Sequence, residues 1–357
     1  MARAHQLAAR GLYTTDPNPR VGCVIARGDE LVGEGFHIRA GGPHAEIHAL
    51  RMAGDKARGA TAYVTLEPCS HTGKTPPCAD ALIRAGVGRV VAAMEDPNPL
   101  VAGRGLERLR EAGVETAVGL QAEQTRALNP GFIKRMRDGL PWVRVKLAMS
   151  LDGRTAMASG ESQWITGEAA RLDVQRLRAR ASAVLTGVGT VLDDNPSMNL
   201  RVDAAWLGAA DEPAQPAHAI VDSRLRTPVD ARILQTCDKV MIFHAPGVKR
   251  PAYPPLVETI AIEAAGSGID LKAVLRELAR RQVNECHVEA GATLAGGLLQ
   301  AGLVDEIIVY MAPHLMGDAG RGLFHLPGLE AMRDRVALHI DDIRAVGDDW
   351  RIRARRP

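Results

Sequence analysis

The sequence predicts an α/β protein built as two layered domains, and three observations carry that expectation. The chain has 357 residues, more than a single core usually serves, and 46% of them are hydrophobic, enough to fill two cores. Helical and strand-like periodicities alternate in both halves, the pattern of sheets covered by helices. Glycines also sit where helices must stop, as at Gly86 and Gly113. The boundary is placed at Pro141, giving domains over 1–140 and 141–357.

Residues 2–11 read as a helix. Val21–Ala26 and Leu31–Phe36 read as a hairpin around Gly28-Asp29. Gly42-Pro43 is a start signal for a helix over His44–Met52. Ala60–Leu66 is a strand, Cys78–Ala85 a helix, Arg89–Met94 a strand and Leu106–Ala112 a helix. In the second half, strands are expected at Trp142–Ala148, Ala183–Thr186, Ile220–Asp222, Val240–Phe243, His287–Glu289 and Glu306–Ala312. Helices are expected over Glu168–Arg180 and Gly291–Ala301. The Pro/Ala-rich stretches 203–217 and 246–255 read as loops without chemistry, and the basic run from Arg351 to Arg356 as a solvated tail. There is no internal repeat.

A net charge of +2 implies no strong field toward nucleic acid or membranes, and 3% aromatic residues argue against a base-stacking groove. Five cysteines, an odd number, speak against a disulfide framework and for a reducing compartment. Cys23, Cys237 and Cys286 lie in apolar runs and read as small core residues. No apolar run reaches the roughly 18 residues of a membrane span, and the N-terminus lacks a signal peptide's hydrophobic region. The expectation is a cytoplasmic protein acting on small molecules, with neither nucleic acid nor membrane as partner.

The first half carries a metal pattern. Pro43-His44-Ala45-Glu46 is followed by Thr65-Leu66-Glu67-Pro68-Cys69 and then by Pro77-Cys78. One imidazole and two thiolates leave the fourth tetrahedral position to water, as catalytic rather than structural zinc sites do. His-x-Glu, then Pro-Cys and a further Cys, is the zinc deaminase signature, with the glutamate moving protons outside the metal's ligand set. His44 and Glu46 can serve one site only if it lies over the helix end, where the dipole favours thiolates. Eight residues separate the cysteines where two are usual, and the insertion carries His71, a rival ligand or a pocket residue. Other readings stay open. His44 and His48 sit four apart, as in zinc proteases, although there the glutamate follows the first histidine directly. Buried thiols and a helix-capping histidine need no metal, and a four-ligand zinc module would need no Glu46.

These runs, the eight-residue cysteine spacing included, resemble the bifunctional deaminase/reductase family of riboflavin biosynthesis, as does Asn18-Pro19-x-Val21-Gly22. The resemblance continues through Lys146-Leu-Ala-x-Ser-Leu-Asp152-Gly153-Arg-Thr, Ser162-Gln-Trp164-Ile-Thr and Thr190-Val-Leu-x-Asp194, and covers nearly the whole chain. It implies an N-terminal cytidine-deaminase-like three-layer domain and a C-terminal dihydrofolate-reductase-like domain. It also implies one zinc ion on His44, Cys69 and Cys78, Glu46 as proton carrier, and NADPH as second cofactor. The implied reactions are deamination of 2,5-diamino-6-(5-phosphoribosylamino)pyrimidin-4-one and then reduction of the ribosyl group of 5-amino-6-(5-phosphoribosylamino)uracil to ribityl. Asn18 is implied at the pyrimidine, and the position of His71 between two ligands adds it to the same pocket. The implied NADPH contacts are Ala148, Trp164, Thr190, Asp194, Ser223 and the run Gly291, Ala292, Thr293, Leu294, Ala295, Gly296, Gly297. The implied substrate contacts are Ser162, Arg178, Met198, Arg201 and Glu289. Met198 is a mild departure from the leucine or similar apolar residue common in the family, and Gly187-Val-Gly189 differs from the small polar residues some members carry. A homodimer is the expected assembly.

Physical readings stand beside these. Thr186-Gly187-Val-Gly189-Thr190 follows a strand but lacks the third glycine of a dinucleotide fingerprint. The Gly291–Gly297 segment offers backbone amides at a helix start, which suit an anion, while a plain turn remains open. Arg178 and Arg201 have the fork that fits phosphate oxygens. Lys146 can polarise a sugar carbonyl or pair with Asp152. Ser223-Arg224-Leu-Arg226 offers a hydroxyl and two cations for a 2′-phosphate.

Overall fold

The structure is a computed structural model that describes residues 1–70, 77–99, 101–266 and 268–356. It divides into two compact units, Met1–Gly139 with Asp203–Ala214, and Leu140–Val202 with Gln215–Pro357.

The first unit holds a five-stranded sheet in the order Glu30–Phe36, Gly22–Arg27, Thr61–Val64, Arg89–Ala92, Glu115–Val118. The first two junctions are antiparallel and the last two parallel. Successive residues of a strand face opposite sides, and here each side finds a helical layer. Cys23 and Ile25 pack with Ala45, Ala49, Leu82 and Leu106, whereas Val24 packs with Ala4 and Leu7 of the helix Ala2–Ala9. The helix Ala45–Ala53 lies hard against the hairpin. A Cβ at Gly33 would come within 2.3 Å of the Ala49 carbonyl oxygen, and one at Gly35 within 2.6 Å of that of Ala45. Glycine at these positions sets where that helix begins.

The second unit is built on a nine-stranded sheet in the order Val257–Ala261, Val240–His244, Ala217–Val221, Ala183–Gly187, Glu285–Glu289, Trp142–Ser150, Glu306–Ala312, Asp349–Arg355, His339–Val346. Pairing is parallel as far as Glu306–Ala312 and antiparallel beyond it. Parallel strands are buried on both faces. Val143, Val145, Val288 and Ile307 meet the helices Leu271–Arg280 and Ala292–Gln300 on one face. On the other, Val184, Ile220 and Ile242 form a second core, and Ile308 and Tyr310 pack under Ala170 and Val174 of the helix Glu168–Arg180.

Several expectations change. The basic C-terminal run is no tail: Arg351 to Arg355 lie in a strand paired on both sides. Alternating arginines on a strand look like a solvated charge run until the partners appear. The glycine-rich segment after Thr186 opens a helix, Val188–Asp194. Within 203–217, Asp203 caps the helix Ala204–Leu207, accepting the Trp206 N–H, and this piece packs with the first unit. The helix Leu271–Arg280, capped by Asp270, had no expected counterpart. Cys23 and Cys286 are strand residues of the core, while Cys237 is buried just before a strand with its Sγ 3.1 Å from the Pro216 carbonyl oxygen. Among the described residues no helix is long and apolar enough to cross a membrane.

Candidate metal centre and reductase cleft

His44 is the residue before the first helical turn, with φ −75° and ψ 165°, so its backbone turns the ring out over the helix end. Cys78 is the first residue of the helix Cys78–Arg84, and its backbone N–H donates to the Cys69 Sγ at 3.3 Å. His44 Nδ1 lies 3.6 Å from the Cys69 Sγ and 3.2 Å from the Cys78 Sγ. The three donor atoms lie within 4.8 Å of one another. Zinc bonds to sulfur and nitrogen place neighbouring N and S ligands about 3.5 Å apart in a tetrahedron, so this donor set fits zinc. The Cys69 thiol is pulled below its ordinary range, first by its hydrogen bond with Cys78, and the same contact pushes the Cys78 thiol up.

Glu46 stands in the first helical turn and is buried, with its Oε2 unpartnered among the described residues. Burial, with a smaller push from Cys69 and against the pull of His44, raises its carboxyl to about 7. Such a group can both hold and release a proton near neutrality. His48 is not in the ligand group, which removes the geometry of the zinc-protease reading. His71 lies outside the described residues.

Two features were not expected from sequence. The Asn18 Nδ2 group donates to His37 Nε2 at 3.0 Å, and His37 Nδ1 faces the Pro43 carbonyl oxygen at 3.0 Å, which assigns its proton to Nδ1. The His37 ring meets that of His44 edge-on, centroids 5.3 Å apart. Asn18 is thus tied to His44 through a residue that no spacing rule singles out. Glu67, inside the Thr65–Cys69 run, accepts the backbone N–H groups of Asp96, Gly103, Gly105 and Leu106 at 2.8 to 3.2 Å. It fastens Asp96 and the start of the helix Arg104–Glu111 beside its own segment, where a Cβ on Gly105 would come within 1.9 Å of the Pro68 carbonyl oxygen.

The second unit opens a cleft of about 1540 Å³ along the carboxyl ends of its parallel strands, the place where open α/β sheets bind ligands. Its walls include Lys146, Ala148, Ser162, Trp164, Arg178, Thr190, Asp194, Met198, Arg201, Ser223, Glu289, Gly291, Ala292, Thr293, Leu294 and Gly297. Ala295 and Gly296 do not reach it. Ala295 is fully buried in the core, and a Cβ on Gly296 would lie 2.1 Å from the His325 carbonyl oxygen. Met198 borders the cleft, but its side chain packs with Val184, Val191 and Ile220. Thr190 and Asp194, four apart on the Val188–Asp194 helix, share a face. Ser223 and Arg226 line the cleft; Arg224 does not.

Arg178 grips Glu289 with two bonds, Nε to Oε1 at 2.6 Å and Nη2 to Oε2 at 3.0 Å, and its Nη1 donates to the Asn199 carbonyl oxygen at 3.0 Å. Burial alone would raise the Glu289 carboxyl, but the Arg178 charge and His287 hold it well below the usual carboxylate range. Arg178 is committed to this pair, whereas the side chain of Arg201 makes no hydrogen bond or ion pair among the described residues and remains available to a phosphate. Lys146 does not pair with Asp152, which instead accepts from Ser150 Oγ and from the backbone N–H groups of Met316 and Gly317. Burial lowers the Lys146 ammonium, Glu289 opposes that and Arg178 adds to it.

Comparison with known proteins agrees with this geometry. A family model described as the cytidine and deoxycytidylate deaminase zinc-binding region matches residues 1–94, and one described as the RibD C-terminal domain matches residues 141–352. The riboflavin biosynthesis protein RibD of Escherichia coli (strain K12) is 53% identical over 354 residues, covering 98% of this chain and 96% of its own. That of Haemophilus influenzae is 49% identical, covering 99% and 95%. Among solved structures, Acinetobacter baumannii RibD, form 1, superposes with a TM-score of 0.90 at 46% identity, covering 100% of this chain and 97% of its own. A Thermotoga maritima diaminohydroxyphosphoribosylaminopyrimidine deaminase/5-amino-6-(5-phosphoribosylamino)uracil reductase does so at 0.86 and 33% identity, covering 100% and 97%. With both family models placed and identity sustained from end to end, the chain belongs to the RibD family of bifunctional riboflavin-biosynthesis enzymes.

Proposed function

We propose that residues 1–140 deaminate 2,5-diamino-6-(5-phosphoribosylamino)pyrimidin-4-one and that residues 141–357 reduce the ribosyl group of the resulting uracil to ribityl with NADPH. The observation that carries the first half is the single cluster of His44 Nδ1 and the Cys69 and Cys78 sulfurs beside a buried Glu46. Zinc held there supplies the Lewis acidity that makes water a nucleophile at neutral pH. Glu46 takes the proton from that water and hands it on toward the ring nitrogen and the departing ammonia. Asn18, steadied by His37, offers its amide oxygen to the pyrimidine.

In the cleft, NADPH supplies the hydride. The backbone amides at Gly291 to Leu294 face its phosphates, as an uncapped helix start does, and Ala148, Trp164, Thr190, Asp194 and Ser223 border its path. Lys146 polarises the sugar carbonyl. Glu289 is the ionised partner that keeps Arg178 in place, Ser162 contacts the substrate, and Arg201 takes the substrate phosphate. We also read the protein as a cytoplasmic homodimer, which sedimentation of the purified chain checks.

The deciding experiment incubates purified protein with the diaminopyrimidine, with and without NADPH, and follows ammonia and cofactor absorbance separately. Ammonia should appear in both arms and NADPH oxidation only where deamination has occurred. Oxidation of NADPH without ammonia release would reverse the proposed order. A cut near Pro141 should leave each activity on its own soluble piece.

A further inference from the structure

The basic C-terminal run forms the strand Asp349–Arg355 of the second unit's sheet, and its first arginine lies under the helix Glu168–Arg180. Arg351 pairs directly across the sheet with Tyr310, and Tyr310 with Ala148. Residues opposite one another in register point to the same face, and Lys146, two before Ala148, shares that face. The helix Glu168–Arg180 covers it, packing Ala170 and Val174 on Ile308 and Tyr310. From that helix Asp173 reaches down. Its Oδ2 accepts the Tyr310 hydroxyl at 2.7 Å and an Arg351 guanidinium N–H at 2.7 Å. Tyr310 is fully buried, and neither it, Asp173 nor Arg351 borders the cleft.

On its other side the Tyr310 ring lies 5.8 Å from the Lys146 Nζ, within reach of a cation–π contact. Among the described residues the Lys146 ammonium has no ion pair or hydrogen bond, since Asp152 is taken up elsewhere and Glu289 is gripped by Arg178. A four-carbon ammonium without a partner is free to wander. A group that must meet a carbonyl has to be held to about 0.5 Å. We propose that Arg351, Asp173 and Tyr310 form a clamp behind the cleft wall that positions Lys146 for reduction of the sugar, Arg351 holding Asp173, Asp173 holding the tyrosine and the ring face holding the ammonium.

This inference rests on the reading of Lys146 as the group that polarises the sugar carbonyl. All three are positioning residues and touch neither substrate nor cofactor. A clamp acts on the catalytic step rather than on cofactor binding, which separates it from plain structural support.

The test uses the full-length chain and the variants Arg351→Met, Arg351→Lys, Tyr310→Phe and Lys146→Met. Reductase kcat and KM are measured, NADPH binding is titrated separately, and ammonia release is followed alongside. R351M is expected to lower reductase kcat about tenfold with the NADPH dissociation constant within about twofold of wild type. R351K, which keeps a cation on Asp173, should recover most of that loss. Y310F, which keeps the ring and loses the tether, should fall between. Wild-type kcat in R351M overturns the clamp. So does an R351K as slow as R351M, or a loss of NADPH binding as large as the loss of kcat. Should R351M prove insoluble, Y310F and R351K carry the same comparison. K146M separates the two layers of the argument. Full reductase activity there overturns the Lys146 reading itself. An inactive K146M beside an unaffected Y310F and R351M overturns only the clamp.

Discussion

The two sites of this chain are assembled in different ways. The candidate metal centre draws its donors from a helix start, the irregular segment after the strand Thr61–Val64 and a second helix start, all between His44 and Cys78. Each donor sits at a point where the backbone itself fixes direction, so residue type and order nearly determine the geometry. The cleft draws its walls from the ends of several strands and from helix starts spread between Lys146 and Arg321. Nothing local relates Arg178 to Glu289, yet they are joined by two hydrogen bonds. A site whose donors lie close in sequence at helix starts can be read from spacing; a site whose walls come from neighbouring strands far apart in sequence needs the strand order.

The sharpest way to break this contrast is to remove one ligand. Cys78→Ala takes away a third of the donor set and leaves a cavity where a buried sulfur was. Zinc content measured on the purified variant should collapse and ammonia release should become undetectable, while NADPH oxidation on the uracil substrate stays within about twofold of wild type. Full zinc together with full deamination in C78A would refute the metal centre.

Glu46→Gln comes next and separates the proposed proton carrier from the proposed ligands. The amide keeps size and hydrogen bonding but cannot take a proton. Zinc should remain stoichiometric by metal analysis while the deamination rate falls by at least about a hundredfold. A loss of zinc in step with activity would place Glu46 in the ligand set instead.

Much of the fold was legible from periodicity, and its failures have physical causes. The helix expected over Glu168–Arg180 has those bounds, because an apolar stripe of Ala170, Val174 and Leu177 recurs at helical spacing. The strand Asp349–Arg355 was missed because alternation of arginine with small or apolar residues does not say whether the charged face meets water or carboxylates; here Asp173 and Asp341 await it. His37 was missed because its link to the metal site runs through Asn18 and a ring contact rather than through spacing. Ala295 and Gly296 belong to the same continuous run as the expected cofactor contacts but face away from the cleft, because on a helix only part of each turn lies on one side. Glu67 shows the reverse case, a residue inside a catalytic-looking run that does structural work by collecting backbone N–H groups.

The buried pair in the cleft gives a smaller, thermodynamic test. Glu289→Gln leaves the Arg178 guanidinium without its counter-charge, with side chains 9% and 12% exposed. Denaturant melts of the second unit should show a loss on the order of 2–3 kcal/mol. The Glu289 carboxyl is held low in the folded state. Its contribution is therefore fully present above the ordinary carboxylate pKa and fades only as pH falls through the lower folded value. The gap between wild type and variant should persist at neutral pH and close in strong acid. A gap that is widest in acid would show that the carboxyl is not held low by Arg178.

The smallest expected effect concerns cofactor choice. On sequence alone Arg224 and Arg226 are equivalent, two cations after Ser223 available to a 2′-phosphate. The fold divides them: Ser223 and Arg226 border the cleft, Arg224 does not, and Leu225 between them is buried in the core with a left-handed φ of 52°. That conformation turns the chain so that the two arginines leave Leu225 in different directions. A cation near a phosphate in a partly solvated cleft is worth about one kcal/mol or somewhat more, so Arg226→Ala should weaken NADPH binding about tenfold. NADH carries no 2′-phosphate, so its weaker binding should be unchanged, and Arg224→Ala should leave both cofactors within about twofold of wild type. Fluorescence titration of the two single variants with each cofactor reads all four values. Equal losses from R224A and R226A would mean that the loop rearranges on binding. An R226A variant that loses NADH as strongly as NADPH would move Arg226 from the 2′-phosphate to the shared part of the dinucleotide.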